Sequence, residues 1–312
     1  MKNLVTREQS IYKMDKLAQP ALTVKDGSVV KIKIKDHFNG QLHKERLHYG
    51  ELDWKQFSPT SGPIFVDGAK PGDLLAVTIE KIELTSTNTF LLNGPNIGLL
   101  DDLLPNNCIR SYKIQHNKII YSEQINIHIE KSIGLLKTES TNESRPVQLP
   151  TDCGGALNSA YLTEGATIFL PVEKQGALLH VGDVHATTGL REITSSCAEI
   201  PAEVTLRLQI LKNKKAPTPV IIHDNHLICI ASDSTVESAA KTALQNMVDL
   251  LTATDKMTIE DAVFLLSLDG DFQICHLSRP SQTASIKLPL DYFPEMPFLL
   301  YLFKSTSLII FT

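Results

Sequence analysis

Apolar and polar residues alternate with period two in several short stretches of the chain. Residues 29–35 place lysines on one face, and residues 202–208 alternate from Ala202 to Leu208, as half-buried strands do. Residues 58–66 and 74–84 predict two more strands that form a hairpin-like pair around the turn at Pro71-Gly72. Two short strands are expected to flank Asp224-Asn225. This pattern predicts a mainly β protein built from sandwich-like or barrel-like sheets.

Helical periodicity appears only late in the chain. Residues 234–254 carry apolar side chains at helical spacing, with Asp233-Ser234 as the expected cap, and residues 259–267 predict a second helix capped by Thr258. These elements predict a smaller α+β C-terminal part. We expect a β-rich part over residues 1–150, interlocked as one unit with a site-bearing and α+β part over 151–290, followed by an apolar extension over 291–312.

The last residues form an unusually apolar segment. Residues 298–311 are interrupted by Lys304 and number 14, whereas a membrane helix needs about 20. We therefore expect no membrane span. The segment is interpreted as a terminal strand or as a surface covered by another subunit, and a homo-oligomer (dimer or larger) is expected.

The amino-acid composition indicates which binding partners and which cellular compartment to expect. The 312 residues carry a net charge of −5, which argues against nucleic acid as the main partner. Five separated cysteines without a C-x-x-C pair, and an N-terminus without an apolar signal region, favour a reduced cytoplasmic protein. Cys153 and Cys197 lie near the candidate site described next, so a thiol nucleophile is an alternative there.

The stretch from Ala177 onward combines a strand with ionisable residues. An apolar run over residues 177–181 predicts a buried strand that ends at Gly182-Asp183, followed by a loop that carries His185 and Thr188. Asp183 and His185 lie two residues apart, so in extended geometry their side chains share a face. Such a pair binds a metal or transfers protons, with Glu192 and Glu199 as further oxygen ligands or bases. The alternative is a turn-capping Asp183 and a solvated His185.

The same stretch resembles a known family. Residues 171–192 read P-V-E-K-Q-G-A-L-L-H-V-G-D-V-H-A-T-T-G-L-R-E, which is similar to the acetamidase/formamidase pattern P-V-x-x-x-G-A-L-x-x-x-G-D-x-H-A-A-Q-G-D-G-E. A second matching block covers residues 60–73, and the resemblance extends roughly from Lys25 to Pro289. The chain departs from the family at Thr187-Thr188 and Leu190-Arg191.

Two further blocks of the family pattern contain candidate site residues. The family's Asp-x-Phe-x-x-Gln element matches Asp36, Phe38 and Gln41, so the resemblance implies a metal oxygen from Asp36 and an amide contact from Gln41. Without the resemblance, the residues favour a simpler interpretation, in which Asp36 caps an Asn-Gly turn. Where the family has G-G-N-M-D, this chain has Asn158 in place of the aspartate, which removes a negative charge and a possible base.

The resemblance implies hydrolysis of a short aliphatic amide, such as acetamide or formamide, to carboxylate and ammonia by metal-activated water. The metal is expected to be zinc, with calcium as an alternative, held by Asp36, Asp183 and His185. Catalysis is assigned to Asp183, His185, Glu192 and Glu199, and substrate binding to Gln41, Asn158, Thr188 and Arg191. The departures from the family pattern leave two alternatives. One is a catalytically impaired scaffold that binds a small amide or carboxylate. The other is a hydrolase of larger or acidic amides, in which the Arg191 guanidinium pairs with a carboxylate of the substrate.

Overall fold

The structure is a computed structural model that describes residues 3–12, 19–43, 49–141, 146, 148–188, 193–194, 196–253, 256–277 and 280–293. Within these ranges the strands are β1 (Leu4–Val5), β2 (Ser10–Ile11), β3 (Leu22–Lys25), β4 (Val29–Ile34), β5 (Thr60–Asp67), β6 (Leu74–Leu84), β7 (Asn88–Asn93), β8 (Cys108–Gln115), β9 (Lys118–Ile120), β10 (Asn126–His128), β11 (Ser132–Lys137), β12 (Gly154–Ala156), β13 (Thr167–Pro171), β14 (Leu179–His185), β15 (Ala202–Leu211), β16 (Val220–His223), β17 (His226–Asp233), β18 (Asp271–His276) and β19 (Gln282–Pro289). The helices are α1 (Val236–Thr252) and α2 (Ile259–Asp269).

The larger sheet combines strands from the first and the last described parts of the chain. Nine of the strands defined above form it, in the order β1-β4-β15-β6-β13-β16-β17-β19-β18. β15 lies between β4 and β6 and is antiparallel to both. Its apolar positions are buried and its polar positions partly exposed, so the alternation over residues 202–208 correctly predicted a strand.

The smaller sheets carry the site. Among the described strands, one sheet has the order β12-β11-β14-β5-β2, with β3 paired to β5, and another has the order β10-β9-β8-β7. β11 and β14 are buried at every position. Ile64 and Val181 of this layer share one apolar core with Ile32 and Val204 of the large sheet. The predicted mainly β, sandwich-like fold with a smaller α+β part is confirmed.

The two predicted helices pack beside the end of the large sheet. α1 lies against β17 and β19 and buries Ala243, Met247 and Leu250. The predicted cap of α2 is confirmed, because Thr258 accepts a hydrogen bond from the Asp261 amide. The cap predicted for α1 was wrong by one residue: Thr235 is the N-cap and accepts from the Ser238 amide.

Two other expectations about strands were wrong. β5 and β6 do not form a hairpin, because β5 pairs with β14 in the smaller sheet whereas β6 pairs with β15 and β13 in the larger one. The intervening turn therefore crosses between layers. β14 does not stop at Asp183 but continues to His185, since β11 pairs with it along this whole stretch.

No helix in the described ranges is both long and apolar enough to cross a membrane. The apolar extension predicted from residue 291 lies outside the described residues from position 294 onward. The division at residue 150 stays a prediction.

Candidate active site

Asp183 and His185 lie at the end of a strand that is held on both sides. β14 pairs with β11, where His185 is opposite Ser132, and with β5. Asp183 has a φ of +60°, a left-handed conformation that is uncommon for a residue other than glycine and is found often at functional sites. Both side chains are buried, so the rigid strand presents them to the interior rather than to a solvated loop.

His37 reaches Asp183 from the turn after β4. Its Nδ1 lies 3.1 Å from Asp183 Oδ1, and the Ser58 hydroxyl lies 3.0 Å from the same nitrogen. The rings of Phe38 and Phe57 meet the imidazole edge-on, with centroids 5.2 and 5.5 Å away. These contacts fix the orientation of His37 toward Asp183.

Asp36, the neighbour of His37, has a different role in the structure. Its Oδ1 accepts hydrogen bonds from the backbone amides of Phe38 and Gly40, at 2.9 and 3.1 Å. Burial raises the pKa of the Asp36 carboxyl, against the opposing effect of these amides. Asp36 therefore caps the turn, as the residues alone favoured, and does not belong to the group of candidate metal ligands in the described chain.

Glu199 is held where the two smaller sheets meet. Its backbone bridges Phe90 of β7 and His185 of β14, and its carbonyl accepts the Thr89 hydroxyl at 2.9 Å. The side chain is buried, and its Oε1 accepts the Cys197 amide at 2.8 Å. This backbone pairing fixes a carboxylate that sequence spacing alone could not place relative to Asp183.

His185 completes what we term the His/carboxylate cluster, which consists of His37, Asp183, His185 and Glu199. The Nε2 of His185 lies 3.6 Å from Asp183 Oδ2 and 3.5 Å from Glu199 Oε1. Its Nδ1 is buried and has no hydrogen-bond partner among the described residues. A buried imidazole between two carboxylates is suited to proton transfer.

Gly134 and Asn158 lie directly beside His185. A Cβ added to Gly134 would come within 2.7 Å of both Asn158 Oδ1 and His185 Cε1, and within 2.8 Å of the Asp183 carbonyl oxygen. Glycine at this position in β11 is thus required by close packing. The Asn158 Nδ2 lies 3.3 Å from His276 Nδ1, a contact that orients the Asn158 side chain.

Three residues of the cluster form a candidate cation site. One ligand atom each from His37, Asp183 and Glu199 lies within 4.8 Å of the others. Burial alone would raise the pKa of Asp183, but its interactions with His185 and His37 outweigh burial and hold the pKa well below its ordinary value. An ionised carboxylate, a second carboxylate and an imidazole form a donor set that suits a divalent cation such as zinc.

The structure assigns other contacts to some predicted site residues. The Gln41 side chain bonds the Asp53 backbone through both its amide nitrogen and its oxygen, so it anchors the chain beside the site. The Thr188 hydroxyl lies 3.4 Å from that of Ser132. Glu192 and Arg191 lie outside the described residues.

The ligand group shares only Asp183 with the predicted metal set of Asp36, Asp183 and His185. His37 was missed, because residue types gave no reason to prefer it over Asp36. Two features could have indicated His37: it follows shortly after the end of a predicted strand, and it lies within the Asp-x-Phe-x-x-Gln element of the family pattern.

The thiol alternative receives little support from the geometry. Burial raises the pKa of the Cys153 thiol to about 12, so almost none is a thiolate at neutral pH. Cys197 contacts Glu199 through its backbone amide. The buried groups that converge at this site are imidazoles and carboxylates.

Two imidazoles and two carboxylates that converge inside a β sandwich, with Asp183 and His185 on one buried strand, are typical of a hydrolytic enzyme with a candidate metal centre. Comparison with known proteins agrees with this class. The profile of the Acetamidase/Formamidase family matches residues 15–144 and 132–295, and the chain belongs to this family. Its members are hydrolases that act on amide C–N bonds, so the predicted family and enzyme class are confirmed.

Similar proteins have solved structures. The acetamidase of Bacillus halodurans is 32% identical, with 93% of this chain and 98% of that chain covered and a TM-score of 0.90. An acetamidase/formamidase-type protein of Thermoanaerobacter tengcongensis is 30% identical, with coverage of 94% and 98% and a TM-score of 0.90. A putative formamidase of Schizosaccharomyces pombe is 24% identical over an alignment of 253 positions, and the match covers 62% of this chain and 62% of that protein.

Proposed function

We propose that this protein hydrolyses a short linear amide, of the formamide or acetamide type, to a carboxylate and ammonia. The observation that carries the proposal is the convergence of His37, Asp183 and Glu199 around one point, with His185 in contact with both carboxylates. Amide hydrolysis needs an activated water, stabilisation of the carbonyl oxygen and a proton for the leaving nitrogen. The cluster offers groups for each requirement.

In this proposal His185 is the proton carrier. Its Nε2 faces the carboxylates of Asp183 and Glu199, which orient the ring and favour a proton on that nitrogen. The other ring nitrogen, Nδ1, which has no hydrogen-bond partner among the described residues, then takes a proton from water and delivers it to the departing amine. Glu192, which the sequence predicts as a catalytic base, stays a second candidate for this role.

His37, Asp183 and Glu199 would hold a divalent cation. When bound there, such an ion supplies Lewis-acid polarisation of the amide carbonyl and lowers the pKa of water. Ser58 orients His37 by a contact at 3.0 Å, and the Cys197 amide orients Glu199 at 2.8 Å. Hydrogen bonds of this kind hold the metal-binding side chains in place and so raise the affinity for the metal.

The burial of the cluster supports a small substrate. The side chains of Glu199 and His185 are each 1% exposed, whereas that of His37 is 16% exposed. A substrate that approaches past His37 meets Phe57 and Phe38, whose rings leave little room beside the imidazole. In this proposal the side-chain amide of Asn158, which lies beside Gly134 together with the His185 ring, binds the substrate amide.

Ammonia release from formamide, acetamide, propionamide and succinamate tests the proposal, with metal content measured on the same preparation. We expect turnover of the small linear amides, about one metal ion per chain, and loss of activity on chelation that the metal restores. A folded protein that releases no ammonia from any amide would contradict the proposal and favour a binding scaffold. Preference for succinamate would favour the acidic-substrate alternative.

Zinc as the metal, the cytoplasm as the compartment and a homo-oligomeric assembly stay predictions. Metal analysis by mass spectrometry of protein purified without added metal identifies the ion directly. Light scattering on the full chain measures the assembly. Neither result alters the assignment of the cluster.

A further inference from the structure

A second polar pocket lies beside the His/carboxylate cluster. Its volume is about 400 Å³, and its lining includes Arg7, Lys35, Asp36 and His43. None of the four cluster residues belongs to the lining that the described chain provides. A pocket of this size holds a small molecule rather than a single water.

The charges around the pocket are mainly positive and lack carboxylate partners. The Arg7 guanidinium donates to the Thr85 hydroxyl at 2.7 Å, and its Nε is buried without a hydrogen-bond partner in the described ranges. Lys35 Nζ lies 3.4 Å from the Tyr12 hydroxyl. Both side chains are half-buried, and neither cation forms an ion pair within 4 Å among the described residues, so both can accept an anionic partner.

The acidic groups near the pocket do not neutralise these cations. Asp36 is the one carboxylate in the described lining, and its Oδ1 already accepts two backbone hydrogen bonds. Glu8 does not line the pocket. Its pKa is lowered chiefly by a hydrogen bond with the Thr6 side chain, and only to a smaller extent by Lys35. Within the lining that the described residues provide, the two cations Arg7 and Lys35 thus outnumber the one carboxylate.

The pocket is connected to the cluster by short stretches of backbone. Asp36 immediately precedes His37, and Phe90, which also lines the pocket, exchanges two backbone hydrogen bonds with Glu199 at 3.1 and 3.2 Å. The lining of the pocket therefore includes residues directly linked to two candidate metal ligands, His37 and Glu199.

We propose that this pocket is an accessory binding site for a small oxyanion, a carboxylate or a phosphate, distinct from the amide-hydrolysing cluster. Arg7 and Lys35 supply the charge, and the paired donors of the guanidinium suit the planar or tetrahedral oxygens of such an anion. Binding there is independent of whether the cluster hydrolyses amides.

Isothermal titration of the full chain at low salt tests the proposal, with acetate, succinate and inorganic phosphate as the probes. We expect one site per chain for at least one probe, with a dissociation constant below about 1 mM. Arg7→Gln and Lys35→Gln should each weaken binding about tenfold, the effect of losing one charge-assisted contact. The preferred probe distinguishes a carboxylate from a phosphate source.

Lys25→Gln is the matched control, because it removes an equal charge from an exposed position on β3. Its affinity for the probe should equal that of the wild type. Thermal unfolding of all variants checks that each is folded. The proposal is overturned if no probe binds to the wild-type chain, or if binding survives both Arg7→Gln and Lys35→Gln, which would place the anion at the cluster or elsewhere.

Discussion

At the scale of single residues, the position of His185 depends on the absence of a side chain at Gly134. The Asn158 amide oxygen, the His185 ring and the Asp183 carbonyl all occupy the space where a Cβ would lie. Since His185 also contacts both carboxylates of the cluster, a shift of its ring would change the geometry on which proton transfer depends.

Gly134→Ala is therefore expected to lower kcat for amide hydrolysis by about 10- to 100-fold while the protein still folds. The added methyl group displaces the side chains of Asn158 and His185 and pushes against the Asp183 carbonyl of β14. Steady-state kinetics with the preferred amide, together with thermal unfolding, measures both effects. Gly50→Ala is the control, because its Cβ would meet no atom within 4 Å, and equal kinetics for the two variants would refute this role for Gly134.

Residue types identified part of the cluster and missed the rest for a physical reason. Asp183, His185 and Glu199 could be selected because carboxylates and an imidazole follow a strand within one short segment. His37 could not, because successive residues at a strand end point in different directions, and only the turn geometry shows that Asp36 faces backbone amides. The contact between His37 and Asp183 spans 146 positions, beyond the reach of local patterns.

At the scale of secondary structure, burial explains which predictions succeeded. β15 is buried on alternate positions, so its pattern was readable, whereas β14 is buried at every position. A fully buried strand has no polar face to mark its course. The polar residues Asp183 and His185 were therefore predicted to lie in a loop, although they belong to the buried strand and form part of the candidate site.

The cap of α1 offers a test at this scale. Thr235 accepts the Ser238 amide, and Asp233 accepts the Ser234 amide before the helix begins. We expect Thr235→Ala to lower the free energy of unfolding by about 1 kcal/mol, because one amide of the first turn loses its acceptor. Urea denaturation measures this change. Thr235→Ser keeps the hydroxyl and should keep the stability, and a loss as large as that of the alanine variant would contradict the assignment.

At the scale of the whole molecule, a second buried ionic cluster lies toward the other end of β14. His180 Nε2 and Lys174 Nζ contact the two oxygens of Glu139 at 3.2 and 3.1 Å. Burial alone would raise the pKa of Glu139, but its interactions with His180 and Lys174 outweigh burial and lower the pKa. The ionised form of Glu139 therefore stabilises the folded chain.

This pKa fixes the sign of a pH dependence. Because the folded-state pKa lies below the ordinary value of 4.5, the stabilisation is fully present above that value. It is lost as the pH falls from about 4.5 through the folded-state pKa. Glu139→Gln should cost about 1–3 kcal/mol at pH 7, and the difference from wild type should shrink in acid.

Urea titrations at pH 7 and near pH 3.5 measure this difference, with the exposed Glu130→Gln as the control. If the difference in free energy of unfolding between wild type and Glu139→Gln is the same at both pH values, packing rather than charge is the source of the stabilisation. If Glu139→Gln does not lower the free energy of unfolding at pH 7, the ion pairs of Glu139 do not stabilise the fold.

The measurement that tests the central claim most directly is ammonia release from formamide and acetamide by the wild-type chain and by Asp183→Asn. Asp67→Asn, an exposed change at the end of β5, serves as the matched control. We predict hydrolysis by the wild type and the control, and a loss of about 100-fold or more in folded Asp183→Asn, since an amide cannot replace the ionised oxygen. Equal rates for all three proteins, or no ammonia from the wild type, would contradict the account.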